Sequence, residues 1–294
     1  MHYRYRHLRF PGGKSKAVTF SYDDGSIHDI RLSQMCGRYG IKCTFNISAG
    51  FMPSDPNPHK LTPEDIQRHL LSSGHEIAIH GNYHKALGLC STADGIKETL
   101  DCRTALEAIF QKIIRGMAYA DSGITRMENG TDYPSIRKYL QDLGIAYARS
   151  LGGDNNNFRL PDDWFAWLPT AHHANPKALD WAKQFVALDL DTGVLADRFP
   201  RLFFLWGHSS EFESQQNWDL LEDLCRILGS REDTWYATNI EICDYVSAYH
   251  SLIFSADGTR VYNPSSQTVW FATKSHLYTI HPGEEIATLD DYSE

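Results

Sequence analysis

The chain has 294 residues, 42% of them hydrophobic, which is enough to bury a full core and close to the ~250 residues usual for an α/β barrel. Its formal net charge of -9 argues against nucleic-acid binding, and no run approaches the ~18 consecutive apolar residues of a membrane span. The N-terminus lacks the apolar core of a secretory signal, so a cytoplasmic protein is expected.

Residues 1–16 hold Arg4, Arg6, Arg9, Lys14 and Lys16 with no acid among them, and the alternation Tyr3-Arg4-Tyr5-Arg6 favours an edge strand over a basic recognition arm. The apolar run from Ala17 ends in Asp23-Asp24-Gly25. Apolar residues at Ile27, Ile30, Leu32 and Met35 predict a helix over 26–39, stopped by Gly40 and followed by a buried strand over 41–47. Thr62-Pro63-Glu64-Asp65 is a helix start, with a Thr N-cap, Pro at the first helical position and acids in the first turn. That helix runs to Gly74, where a strand begins that leads to His80-Gly81-Asn82-Tyr83-His84. Helices over 92–111, 133–143, 178–188 and 218–228 then alternate with strands over 113–119, 145–149 and 201–206, with a polar rim loop at 152–157. Strand–helix alternation of this kind builds a parallel sheet in an α/β fold. Beyond residue 250, four short β-type runs separated by turn residues predict a small antiparallel accessory unit, for packing before sugar contact. The division expected is 1–250 and 251–294. The six cysteines show no Cys-x-x-Cys pair and are expected to be free, mostly buried thiols.

Three of the apolar strands end in chemistry-bearing residues: Asp23 and Asp24, then His80 and His84, then His208 in Leu205-Trp206-Gly207-His208. Each is weak alone, since acids are common in turns after strands and a His-x-x-x-His pair arises by chance among 14 histidines. Together they point to one place, because the carboxyl ends of strands in α/β folds share the active-site face. Two imidazoles and a carboxylate suffice to hold one divalent metal, and a second carboxylate free of it can act as a base toward water. His208 is read as a catalytic acid, with Glu211 placed to orient it or shift its pKa.

The segments Thr19-Phe20-Ser21-Tyr22-Asp23-Asp24-Gly25, Gly74-His75-Glu76-Ile77 through His84, and Leu205 to His208 resemble signature segments of the polysaccharide deacetylase family, the NodB-homology, carbohydrate esterase 4 enzymes. The resemblance spans residues 15–245. It implies a distorted (β/α) TIM-like barrel of NodB type and removal of acetyl groups from an acetylated carbohydrate. It also implies a divalent metal, usually zinc and sometimes cobalt or nickel, on the residues matching Asp24, His80 and His84, with Asp23 as general base and His208 as general acid. The family's third segment is matched only loosely by Arg115 through Gly123. If Tyr119-Ala120-Asp121 aligns there, the amide near Tyr119 serves the oxyanion, and the arginine position falls on Ala118. Arg149 is then the candidate to supply the missing charge, with Arg115 second. The fourth segment is sought at Asp162-Asp163-Trp164 or Asp180-Trp181. His172 and His173 are placed in a rim loop, and Tyr119, Trp206 and His172 are the expected substrate contacts.

Two rivals stand beside this reading. One is a non-catalytic carbohydrate-binding protein on a degenerate barrel, using Trp164, Trp167, Trp206 or Trp218 to stack on sugars. The other is a metal amidohydrolase acting on a non-sugar amide. A serine-hydrolase elbow and a phosphate-cradling Gly-x-x-x-x-Gly-Lys run are both absent from the sequence.

Overall fold

The structure, a computed structural model, describes residues 5–152, 155–191, 198–274 and 276–288. Tyr3 and Arg4 of the expected edge strand, Gly153 and Asp154 of the expected rim loop, and residues 289–294 lie outside the described residues. In chain order come β1 (His7–Arg9), β2 (Lys16–Asp23), α1 (Asp29–Arg38) and β3 (Cys43–Ile47). Helix α2 starts as Pro63–Asp65 and continues through a π segment, Ile66–Leu70, and a 3-10 turn, Leu71–Ser73. Then follow β4 (Glu76–Ile79), α3 (Thr92–Phe110), β5 (Gly116–Ala118), α4 (Tyr133–Asp142) and β6 (Tyr147–Arg149). The next group is β7 (Ala171–His172), α5 (Ala178–Ala187), β8 (Arg201–Gly207), α6 (Ser209–Ser214), α7 (Trp218–Leu228), β9 (Thr234–Tyr236) and α8 (Asn239–His250). The chain closes with β10 (Ile253–Phe254), β11 (Arg260–Tyr262), β12 (Val269–Ala272), β13 (Leu277–Ile280) and β14 (Glu285–Ala287).

Every helix expected from apolar spacing forms, and the local signals explain where. Thr62 accepts from the Asp65 amide while the Asp65 carboxylate accepts from the Thr62 amide, a reciprocal capping box that starts α2. Ser91 accepts from the Asp94 amide and starts α3. Five elements had no sequence signal strong enough to predict them: β7, β9, β14, α6 and α8.

β2 to β9 form one parallel sheet in the order β6-β5-β4-β3-β2-β8-β7, with β9 also paired to β2. The sheet curls into a distorted (β/α) barrel of NodB type, because residues 167–173 bridge its two edges. The Trp167 amide donates to Ala148 O on β6, and the Thr170 and His173 amides donate to Phe204 O and Trp206 O on β8.

Alternation along the strands sorts the two faces. Val18, Phe20, Tyr22, Phe45, Ile77, Ile79, Met117, Ala148, Phe203 and Leu205 point outward into the main core beneath the helices. The other parity faces inward and is small or polar near the centre. Asn46 donates to Ser21 at 2.8 Å, Thr44 and Tyr147 each donate to Glu76 at 2.8 Å, and Thr19 donates to Asn239 of α8 at 2.8 Å. The N-terminus of α8 caps the end of the barrel where the strands begin, its Asn239 and Ile240 amides donating to Thr44 and Glu76.

The C-terminal strands form two antiparallel three-stranded sheets, β1-β12-β13 and β10-β11-β14, around a small core of Val261, Val269, Phe271, Tyr278 and Ile280. The Tyr245 hydroxyl of α8 donates to Arg9 O and accepts from the Trp270 amide, which ties this unit to the barrel. All six cysteines are free, and no helix among the described residues is long and apolar enough to cross a membrane.

Candidate active site

Asp23 is the last residue of β2 and points inward; Asp24 follows it with φ of 79°, a left-handed conformation uncommon for a side-chain-bearing residue. That reversal gives the two neighbouring acids different surroundings. Asp23 is buried at 1% exposure, whereas Asp24 is 36% exposed. The turn is held by the Asp24 amide donating to Asn46 O, by Lys60 Nζ donating to Asp24 O at 2.7 Å, and by the Leu61 amide donating to Gly25 O.

His80 follows β4 on its inward parity, and its Nδ1 lies 3.0 Å from Ala118 O. Nδ1 therefore carries the proton and donates to that carbonyl, which leaves the Nε2 lone pair free. His84, with φ of 56°, brings its Nε2 to 3.5 Å from Asp24 Oδ1, and His80 Nε2 lies 3.7 Å from the same oxygen. The three donor atoms all fall within 4.8 Å of one another. Two imidazoles and a carboxylate make up the donor set of a catalytic zinc site, which keeps a fourth position for water or substrate. Burial keeps His80 below the ordinary imidazole range despite the opposing pull of Asp23 and Asp24, so it is neutral, as a ligand must be.

The loop between the two histidines depends on a residue the sequence did not single out. Glu98 of α3, buried, accepts from the amides of Tyr83 at 2.6 Å and Lys85 at 3.1 Å, on either side of His84. Gly81 makes room for it: its φ is 73°, and a Cβ there would sit 2.8 Å from Glu98 Oε1.

Arg149, the candidate from β6, reaches across the barrel. Its Nη2 donates to Asp23 Oδ2 at 2.5 Å, while Asn46 Nδ2 donates to Asp23 Oδ1 at 2.7 Å. Arg149 is fully buried, with its guanidinium carbon 4.5 Å from the centre of the Trp206 ring. Burial disfavours the charge on Asp23, but Arg149, His80, His208 and the Asn46 amide together outweigh it and hold the carboxyl below its ordinary value. Arg115, the second candidate, instead pairs with Asp244 at 2.6 Å and does not approach Asp23.

His208 stands just past β8, with Nδ1 3.0 Å from Glu211 Oε1 in the first turn of α6. Burial lowers its affinity for a proton, yet the Glu211 hydrogen bond and the charges of Asp23, Asp24 and Glu211 prevail and raise its pKa. The structure corrects the sequence reading around it in two ways. His172 and His173 are not in a rim loop: His172 ends β7 in register with Trp206, and His173 is buried at 1% exposure with Nε2 3.0 Å from Glu211 Oε2. Nor do the acid–tryptophan pairs surround His208. Asp163 caps a 3-10 turn and accepts from Tyr133, and Trp181 is core on α5. Glu211 takes the acid's place, which Trp206-Gly207-His208-Ser209-Ser210-Glu211 made visible as a short spacing, whereas His173 had no local signal.

Tyr119 is a further correction. It shares the outward parity of Met117, is fully buried beneath the helices, donates its hydroxyl to Phe165 O, and spends its amide on Arg149 O. It offers neither a ring to substrate nor an amide to an oxyanion. Trp206 and His172 do meet, with ring centroids 4.7 Å apart, at the half-buried mouth of the barrel. Trp167 and Trp218 are core residues and unavailable for stacking on a sugar.

The profile of the polysaccharide deacetylase family matches residues 3–148. No curated protein matches the chain. Among solved structures, an allantoinase, PuuE, aligns with TM-score 0.54 and 14% identity over 83% of this chain and 94% of its own. The Xyl-CE4 domain of a multidomain xylanase from the hindgut metagenome of Trinervitermes trinervoides aligns with TM-score 0.50 and 16% identity over 80% and 92%. The deacetylase PplD of Streptococcus pyogenes aligns with TM-score 0.39 and 16% identity over 46% of this chain, which spans about half, 55%, of that one. At these identities the two likenesses with TM-scores of 0.50 or more speak for the fold alone, and the profile match speaks for the lineage: residues 3–148 belong to the polysaccharide deacetylase family.

Proposed function

We propose that the protein is a metal-dependent hydrolase that removes N- or O-linked acetyl groups from a carbohydrate. One observation carries the reading: Asp24, His80 and His84 gather three donor atoms within 4.8 Å, while the neighbouring Asp23 is turned away into hydrogen bonds with Arg149 and Asn46. One acid is thus placed for a cation and the other for a proton. The donor set suits zinc, and cobalt or nickel accept the same atoms. When bound there, the ion polarises the acyl oxygen and acidifies a water molecule.

Asp23 takes the proton of the attacking water. A carboxylate held below its ordinary pKa is a weak base, so Asp23 depends on water already acidified nearby. Arg149 and Asn46 fix the orientation of both its oxygens, which makes them positioning residues. His208, raised in pKa and held by Glu211 through Nδ1, keeps a proton on Nε2 for the departing amine or alcohol. The two groups are pushed in opposite directions, which suits the base ionised and the acid protonated at one pH. Trp206, between Arg149 and His172, forms part of the surface offered to the sugar. On this reading the barrel, assigned to 1–250, carries this chemistry, and an accessory unit is assigned to 251–294; β12 of that unit pairs with β1, and the Trp270 amide donates to Tyr245 of α8.

The test is acetate release from N-acetylated and O-acetylated oligosaccharides and from a non-sugar amide, each with and without zinc. Zinc-dependent turnover on a sugar is expected. Turnover on the non-sugar amide alone moves the protein to a different amidohydrolase class, and no turnover by metal-loaded protein on any of them leaves sugar binding.

A further inference from the structure

We propose that His172, His208 and Glu211 form a second transition-metal site, separate from Asp24, His80 and His84, whose occupation by zinc stops turnover. Their donor atoms lie within 4.8 Å of one another. His208 Nδ1 is 3.0 Å from Glu211 Oε1, and His172 Nε2 is 3.4 Å from Glu211 Oε2. Ligand atoms on a tetrahedral zinc with bonds of about 2.0–2.1 Å stand about 3.3 Å apart, close to these two separations, which reach different oxygens of Glu211. His172 Nδ1 accepts from the Ala174 amide at 3.2 Å, so ligation through Nε2 shifts the ring proton to Nδ1 and gives up that bond. Two imidazoles and one carboxylate select zinc and its transition-metal neighbours over magnesium or calcium.

The site is built on ordered elements. His172 ends β7, His208 follows β8 beside it, and Glu211 lies three residues on in α6. Beneath them the buried His173 places Nε2 3.0 Å from Glu211 Oε2, near the carboxylate but without hydrogen-bond geometry. His173 is itself clamped between Phe212, with ring centroids 4.1 Å apart, and Tyr22, at 5.9 Å. Gly207 is what lets it enter, for a Cβ there would lie 2.0 Å from His173 Nδ1. The three ligating side chains are 26%, 30% and 30% exposed, so a hydrated ion can reach them and keep water in its remaining positions.

An ion on His208 Nδ1 takes the position that the second proton of an imidazolium occupies, so His208 can no longer act as the acid. This consequence, unlike the site itself, rests on the proposed role of His208. Zinc is then activating at the first site and inhibitory at the second.

The experiment is equilibrium dialysis of the metal-stripped full chain against zinc, with bound metal counted by mass spectrometry and turnover followed over the same range. Two equivalents are expected in wild type, one in His172→Gln, one in His84→Ala and none in the double variant. Turnover of wild type should peak near one equivalent and fall at least tenfold near two, whereas in His172→Gln, whatever its basal rate, the ratio of turnover with excess zinc to turnover at one equivalent should stay near one. His172→Ala is the second variant, with circular dichroism reporting the fold of both. A wild-type stoichiometry of one, or a second equivalent that survives both His172 variants, overturns the site. A second equivalent lost in His172→Gln without any inhibition upholds the site and overturns the acid role of His208. Retention of two equivalents in His84→Ala contradicts the first site and leaves the second standing.

Discussion

Asp23 and Asp24 share a peptide bond and almost nothing else. The left-handed turn at Asp24 sends one carboxylate toward His80 and His84 and leaves the other against Arg149 and Asn46. The Asp23–Arg149 pair is buried on both sides, so removing one partner strands a charge, a loss of about 3–5 kcal/mol. Arg149→Met is therefore expected to lower stability by that order in urea unfolding. Arg149→Lys keeps the charge but not the planar fork, and should lose turnover with a smaller loss of stability. Glu211 supplies the hydrogen bond that lifts His208, so Glu211→Gln should lower the His208 pKa and move the alkaline limb of kcat to lower pH. An alkaline limb unchanged in Glu211→Gln contradicts His208 as the acid. At this scale the positions of Asp23, Asp24, His80, His84 and His208 at or just past the ends of their strands were legible in the sequence. Asn46, Glu98 and His173 were not legible, because each acts on a residue distant in sequence and carries no motif of its own.

Among the elements, strand parity decides which residues meet. His80, Arg149 and Trp206 share the inward parity with Asp23 and Asn46, whereas Tyr119 falls on the outward one and is lost to the core. Alignment to a family segment placed Tyr119 near substrate, and period-two alternation from Met117 already argued otherwise. β7 escaped prediction because it is two residues long and is fixed by its neighbours, with Ala171 and His172 in register with Leu205 and Trp206 of β8. Its absence from the sequence reading is why His172 and His173 were expected in a loop. α3 has a task beyond packing, since Glu98 on its inner side holds the turn that carries His84. Glu98→Gln is expected to weaken zinc binding at the first site on the order of tenfold, with the fold kept. Unchanged zinc affinity in a titration of Glu98→Gln would assign the turn's order to other contacts.

The whole molecule stores opposing pH dependences in its interior. His75 is buried neutral, accepting from the Cys43 amide at Nδ1 and donating from Nε2 to Ser33, and burial pushes its pKa down to about 4. The unfolded chain binds that proton first, so the stability from His75 is present above pH 6.5 and lost as pH falls toward 4, on the order of 3 kcal/mol. Asp29 has the reverse sign. Burial pushes it up to about 8 against the Ser209 hydrogen bond, so its contribution is present below pH 4 and is lost as pH rises through 8. In urea unfolding of metal-free protein across this range, the loss on acidification should shrink in His75→Gln and the loss on alkalinisation in Asp29→Asn. Identical pH profiles in wild type and His75→Gln would remove His75 from the account. The barrel and the accessory sheets were legible at this scale from strand–helix alternation and from the short β runs beyond residue 250. The bridging of the sheet edges by residues 167–173 and the capping of the barrel by α8 were not, since both are long-range contacts that no local pattern encodes.

The central claim is that the two adjacent acids divide metal binding from proton transfer. It is tested most directly by loading wild type, Asp23→Asn and His84→Ala, each carrying His172→Gln so that bound metal reports the first site alone, with one equivalent of zinc and measuring, after gel filtration, bound zinc and acetate release on the same samples. The account predicts that Asp23→Asn keeps its zinc and loses about 10²–10⁴-fold in turnover, and that His84→Ala loses both. Turnover in Asp23→Asn equal to wild type, or full first-site zinc in His84→Ala, would contradict it.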